Sequence, residues 1–167
     1  MKIISLIGFS GSGKTTFIIN AIHLLKKRLN YDVAVIKNIH EHRIDKNEKD
    51  SNKYNEAGAT YSIVRNIYNE NTIFMKKEVE LEQLINWLIL GPFKVDLFLT
   101  EGFRDIKFPT VLCLRNLEEL EPQLNDNIKM ISGAICSKGI PKIENFSIPI
   151  VNIEKDFETF LKVFNIK

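Results

Sequence analysis

The stretch "GFSGSGKTT", residues 8–16, decides how the rest of the chain is read. Residues 8–15 satisfy G-x-x-x-x-G-K-[ST] at every fixed position. Ahead of it stands "KIISLI", a short isoleucine-rich run that reads as a buried strand. Behind it, Ile18, Ile22, Leu25 and Leu29 recur at helical spacing. A glycine loop between strand and helix gathers backbone N–H groups into one concavity, and the positive helix end adds to it. This setting describes a phosphate cradle, not a flexible linker. Gly8, Ser10, Gly11, Ser12, Gly13, Lys14, Thr15 and Thr16 would surround a nucleoside triphosphate. Lys14 would reach the β- and γ-phosphates, and the Thr15 hydroxyl would ligate Mg2+. Phe9, Ser10 and Ser12 leave no early lysine to reach across a dimer to a partner's phosphates.

Working outward, "YDVAVIK" is a second strand, and a strand–helix–strand crossover of this kind is right-handed with parallel strands. "KVDLFLTEG", "PTVLCLRN" and "KMISGAICSKG" read as further buried strands, and "IPIVNI" as a short one. Helices are expected at residues 51–57, at 78–90 before Gly91-Pro92, and where Phe157, Phe160, Leu161 and Phe164 repeat at i, i+3, i+4, i+7. "TYSIVRN" and "NTIFMKK" suggest a hairpin around Asn69 to Asn71. The pattern predicts an α/β chain with the three-layer P-loop NTPase fold, a mostly parallel sheet extended by a β-hairpin, in a single domain over residues 1–167. The hairpin residues Ile63, Val64, Ile73 and Phe74 are expected in the core, with a dimer interface as the alternative.

Composition narrows the class. The 167 residues are 44% apolar and 26% charged, which suits a globular protein. A formal charge of +2, mostly from lysines, gives no electrostatic reason to expect nucleic acid. Cys113 and Cys136 belong to no C-x-x-C pair and lie in apolar stretches, so reduced core thiols are expected. No apolar run reaches the ~18 residues of a membrane span, and the first one is too short for a signal peptide. A cytoplasmic protein without a membrane partner is the expectation.

Magnesium wants a carboxylate near the phosphates, and "KVDLFLTEG" offers Asp96 and Glu101. Five residues of strand span about 16 Å, so only one can lie beside the loop. Ligands bind outside the carboxyl ends of parallel strands, which selects Glu101 for the metal or the attacking water and leaves Asp96 at the strand start. A long polar connection, residues 38–49, leaves from the carboxyl end of the second strand. It carries His40, Glu41, His42, Asp45 and Lys49, with Asp50 following. Asp45 is a candidate Mg2+ ligand; His40 and His42 form an H-x-H that could take a transition metal but reads more simply as solvated loop. His23 lies on the solvent face of the first helix.

With these segments in view, the chain resembles the MobB-like family of molybdopterin-guanine dinucleotide biosynthesis proteins. The resemblance rests on "GFSGSGKTT", "VIKNIHEHRID", "EKDSNKYNEAGA" and "DLFLTEGFR". Lys37, His40, Asp45, Lys49, Asp50, Ser51, Ala57, Gly58, Ala59, Glu101 and Gly102 fall on the family pattern. Asn38 stands where a histidine is common, Glu48 replaces a glycine, and the loop before Asp45 is one residue shorter. The resemblance implies a homodimeric protein that binds GTP and hydrolyses it slowly. It further implies assistance to the guanylyltransferase that attaches GMP to molybdopterin, so molybdopterin or its guanine dinucleotide and that enzyme are the implied partners. Related metal-centre GTPases make a broader role in cofactor maturation the neighbouring reading.

No residue in the sequence separates GTP from ATP. An N-K-x-D sequence, whose aspartate would accept from guanine, is missing. "AICSKG" ends the fifth strand at the correct edge, so Ser137 and Lys138 could touch the base, although an ammonium only donates. Hydrolysis would use Lys14, the loop amides and Mg2+ to stabilise charge, with Glu101 orienting water. Arg43 and Arg104 are the candidate arginines from the same chain. Two alternatives stay open: a small-molecule or nucleotide kinase, though no arginine-rich lid is legible, and a nucleotide-dependent binding module without useful turnover.

Overall fold

The run before the glycine loop forms β1 (Lys2–Ile7), whose last four residues are all buried. A central strand of a parallel sheet is covered on both faces, and a nearly continuous apolar run meets that demand. The computed structural model describes residues 1–44, 49–139, 141 and 146–167. They divide into two compact units, Met1–Asn38 with Pro92–Lys167, and Ile39–Gly91.

In chain order, β1 is followed by α1 (Lys14–Leu29), β2 (Val33–Lys37), α2 (Asp50–Glu56), β3 (Ser62–Arg65), β4 (Asn71–Phe74) and α3 (Leu81–Ile89). Then come β5 (Leu97–Glu101), β6 (Thr110–Cys113), β7 (Ile128–Ser132) and α4 (Phe157–Val163). The first unit holds a sheet in the order β2-β5-β1-β6-β7, with every pairing parallel. The chain leaves β1 for one side of the sheet and leaves β6 for the other. The gap between β1 and β6 is therefore the topological switch point, where such sheets bind ligands outside their carboxyl ends.

One sheet face, with Ile4, Leu6, Leu99 and Met130, packs under α1 and α4. Phe160 is fully buried and holds the two helices together, its ring edge-on to Phe17 at 5.9 Å and beside Phe157 and Phe164. A side chain of this size contributes about 1.5–3 kcal/mol through burial alone. The other face carries Ile7, Leu112 and Ile131, packed by Leu120, Phe146 and Ile148. Among the described residues no helix is long and apolar enough to cross a membrane. Cys113 and Cys136 are free and buried, as expected.

The expected α/β class, parallel sheet and antiparallel β3–β4 hairpin are present, but the hairpin forms its own two-stranded sheet and does not extend the parallel one. Several boundaries differ. β7 stops at Ser132, because Gly133 turns the chain (φ 98, ψ −156) into a 3-10 segment, Ala134–Lys138. "IPIVNI" forms only a single bridge, Ile131 to Ile150, since Pro149 has no N–H for a ladder. The helix expected from residue 78 starts at Leu81, where the Gln83 side chain accepts from the Glu80 N–H at 3.1 Å and closes the first turn. The hairpin reverses between Asn66 and Glu70, because the Asn66 side-chain oxygen accepts from the N–H groups of Tyr68 and Glu70.

One expectation for the second unit is overturned. Ile63, Val64 and Ile73 do not enter the core: they are 65%, 46% and 44% exposed, and Phe74 is only half-buried. A two-stranded sheet has two faces, and α2 packs against β3 without covering these side chains. Ile63 and Ile73 stand directly opposite one another and make a small apolar surface.

Candidate functional site

The glycine loop joins β1 to α1 and lies on the carboxyl side of the switch point. Gly8 sits at φ 145, and a Cβ there would lie 2.2 Å from the Cys113 carbonyl oxygen, so only glycine lets the loop pass β6 this closely. On its far side, Ala134 N–H donates to Ser12 O at 2.9 Å. The loop is thus held between β6 and the segment after β7.

The N-cap of α1 is Gly13, which offers no side-chain acceptor, and its first turn has no acidic residue. The first N–H groups of this 16-residue helix have no partner within the helix. α4 shows the contrast: its N-cap Asp156 accepts from Thr159 N–H at 3.0 Å. An uncapped N-terminus behind a glycine loop is built to receive an anion. The Lys14 ammonium donates to Gly8 O and Phe9 O, each at 2.9 Å, and so is held over the mouth of the loop.

Sheet register brings the carboxylate into place. Glu101 pairs with Leu6 on one side and Lys37 on the other. Its side chain is 8% exposed and lies 3.3 Å from Lys37 Nζ, whose charge offsets the cost of burying a carboxylate. Thr15 Oγ1 is 3.5 Å from Glu101 Oε1. A hydroxyl and a carboxylate at this distance are the hard oxygen donors that Mg2+ takes, directly or through its water shell. The residues present fit that ion. Asp96 lies before the start of β5, where it accepts from Asp32 N–H at 2.9 Å and pairs with Lys94. Arg104 is placed over the ring of Phe9, 5.5 Å from its centroid, beside the loop.

The remaining expected residues divide. Ser137 lines a cleft of about 290 Å³ that also touches Gly11, Gly13 and Thr16, and its hydroxyl donates to Ala134 O at 2.7 Å. Asp45 and the side chain of Lys138 lie outside the described residues. His40, His42, Lys49 and Asp50 are exposed in the second unit, Asp50 pairing with Lys53 at 3.2 Å. Among the described residues, no three His, Cys, Asp or Glu side chains group as a metal site would need. Burial pushes the Cys113 thiol up to about 12 and raises Cys136 as well, so neither is a thiolate near neutral pH.

Sequence reasoning missed the Arg115–Glu119 pair and three residues that line the cleft. Arg115 follows β6 at the switch point, and its Cδ is 3.9 Å from where a side chain on Gly11 would begin. Glu119 holds it, pairing with the guanidinium and accepting from Arg115 N–H at 3.0 Å. Asn20, on the first helix, lines the cleft, as do Asn152 and Glu154 near the chain end. The strand-end position of Arg115 was the available signal; the cleft residues had none, because they come from segments far apart in the chain.

Three carboxylates share one electrostatic pattern. Hydrogen bonds from Arg115 N–H to Glu119, from Asp32 N–H to Asp96, and from the Thr159 hydroxyl to Asp156 favour each charged form, so all three pKa values lie below their ordinary range. A depressed folded pKa contributes stability that is complete above the unfolded value, about pH 4, and lost as pH falls through the folded value. Melting temperature measured from pH 7 to 3 is therefore expected to stay level to about pH 5 and then fall; Asp96→Asn with Asp156→Asn should flatten that fall.

A parallel sheet with this loop at its switch point is the P-loop NTPase fold. The chain belongs to the MobB family: the profile described as "Molybdopterin guanine dinucleotide synthesis protein B" matches residues 3–136. The "Molybdopterin-guanine dinucleotide biosynthesis adapter protein" of Haemophilus influenzae is 35% identical over 119 residues, 69% of this chain and 64% of that protein. A relative from Methanocaldococcus jannaschii with the same adapter designation is 26% identical over 136 residues, 78% of this chain and 54% of the other. The chain thus spans 54% and 64% of the length of these two curated relatives. The crystal structure of Bacillus subtilis MobB superposes over 100% of both chains with a TM-score of 0.72 at 22% identity, a likeness of fold.

Proposed function

We propose that the chain is an accessory protein in molybdopterin-guanine dinucleotide biosynthesis that binds GTP with Mg2+ in the glycine loop and hydrolyses it slowly. It would act as a homodimer beside the guanylyltransferase that attaches GMP to molybdopterin. The observation that carries this reading is the uncapped N-terminus of α1, with Lys14 over the loop and the Thr15–Glu101 pair facing it. Family membership supports the pathway, and the exposed Ile63–Ile73 surface offers apolar area for a second copy.

On triphosphate binding, Lys14 exchanges its two carbonyl partners for phosphate oxygens, and the loop amides and first-turn N–H groups donate to the remaining phosphate oxygens. Bound Mg2+ would neutralise charge on the phosphate oxygens. Glu101 holds and orients the attacking water, with Lys37 beside it balancing the carboxylate. Turnover is expected to be slow because Arg115 is held by Glu119, which leaves Arg104, stacked on Phe9 of the loop, as the described arginine that could turn to the phosphates.

Phosphate release from GTP and ATP, with and without the guanylyltransferase, tests the reading. Glu101→Gln is expected to slow GTP hydrolysis about ten- to a hundredfold and to weaken GTP binding by less, since Lys14 and the loop amides still hold the triphosphate when the water-orienting charge is lost. Equal losses in both would remove Glu101 from the water-orienting role. Transfer of phosphate from ATP to a small molecule would replace the whole reading with a kinase.

A further inference from the structure

We infer that the cleft beside α1 is a guanine pocket and that Glu154, assisted by Asn152, reads the base. The inference rests on the GTP reading above and names the residues that would give it specificity. The cleft, about 290 Å³, is lined by Gly11, Gly13 and Thr16 on the loop side and by Ser137, Asn152 and Glu154 opposite. Its volume is at the small end for ligand sites and suits one flat ring rather than a whole nucleotide. A triphosphate seated on the loop would place its base here without leaving the first unit.

The turn that presents the two polar residues is well defined. Asn152 O accepts from Lys155 N–H and Asp156 N–H at 3.1 and 2.9 Å, while Ile153 is buried in the core. Asn152 Oδ1 accepts from Glu154 N–H at 3.0 Å, which leaves the Nδ2 hydrogens as the free edge of that amide. The Glu154 carboxylate is exposed and has no hydrogen-bond or ion-pair partner among the described residues.

This arrangement complements guanine and opposes adenine. Guanine presents N1–H and an N2 amino group side by side, two donors that one carboxylate accepts together. Its O6 and N7 are acceptors suited to the Asn152 amide. Adenine presents a lone pair at N1, which a carboxylate repels. The acceptor that an N-K-x-D sequence would supply thus comes from a different segment, and both residues lie beyond the stretch 3–136 that the family profile matches.

Equilibrium binding of GTP, ATP and xanthosine triphosphate, each with Mg2+, to wild type and Glu154→Gln tests the assignment. Wild type is expected to prefer GTP over ATP by at least tenfold. In Glu154→Gln, GTP affinity should fall about ten- to a hundredfold while ATP affinity should hold or rise, because the repulsion of the adenine N1 lone pair is gone and the glutamine amide can donate to it. Xanthosine triphosphate should bind about tenfold tighter to the variant, because xanthine carries a carbonyl where guanine carries its amino group, and a glutamine amide can donate to it. That gain is something a merely structural role would not produce. An unchanged GTP-to-xanthosine-triphosphate ratio in the variant would overturn the role of Glu154. Equal binding of GTP and ATP by wild type would overturn the guanine pocket and leave the phosphate site standing, whereas wild type binding none of the three would overturn the function proposed above.

Discussion

Lys14→Ala is expected to lower GTP affinity by a hundredfold or more while leaving the fold intact. In the free protein, among the described residues, the ammonium donates only to Gly8 O and Phe9 O, on a partly exposed side chain, so removing it costs the fold little. In the complex it would face phosphate oxygens, where hydrogen bonds between charged groups contribute about 1.5–3 kcal/mol each. Losing two of them amounts to at least two decades in affinity. The two effects separate cleanly in a melting experiment. With GTP and Mg2+ at a hundredfold over the dissociation constant, wild type gains about 2.7 kcal/mol, or roughly 5–10 °C for a chain of this size. The variant should melt within about 2 °C of wild type without nucleotide and gain almost nothing from adding it. A normal ligand-induced rise in the variant would dismiss the phosphate site altogether.

The ease of that prediction reflects how local the relevant chemistry is. The strand, glycine loop and helix occupy consecutive residues, and their order alone places Lys14 and Thr15 at a helix N-terminus. Choosing Glu101 over Asp96 needed only the direction of a parallel strand; the observed register puts Glu101 level with Leu6 and ties Asp96 to Asp32 at the opposite end. Legibility fails where position depends on contacts between distant segments. Asn20, Asn152 and Glu154 line one cleft, yet no periodicity or spacing relates them. The hairpin shows a different failure. Alternating apolar residues predict a strand well, but they do not say whether the apolar face will find a cover, and Ile63, Val64 and Ile73 find none within their own unit among the described residues.

Gly133 lies where the loop meets a distant segment, and Gly133→Ala is expected to damage both the fold and the site. Its backbone (φ 98, ψ −156) lies in a region that is essentially reserved for glycine, which costs another residue about 1–3 kcal/mol. A Cβ there would also lie 2.2 Å from Ser12 O and 3.0 Å from Leu114 N, both backbone atoms that cannot swing aside. Relief requires moving the glycine loop away from the segment after β7, which breaks the 2.9 Å bond from Ala134 N–H to Ser12 O. Strain and overpacking together should destabilise the fold by about 3 kcal/mol or more, lowering the melting temperature by roughly 6–12 °C. GTP affinity should fall at least tenfold, since the displaced loop is the phosphate cradle itself. Gly139→Ala supplies the comparison. That glycine has a similar backbone conformation (φ 109, ψ 155) but nothing among the described residues within 4 Å of a would-be Cβ, so it carries the conformational cost without the collision. It should lose some stability and keep its GTP affinity. If the two variants behave alike, the clamp between Gly133 and the loop has no part in holding the cradle; if only Gly133→Ala loses nucleotide, a residue that touches no phosphate sets the geometry of the phosphate site.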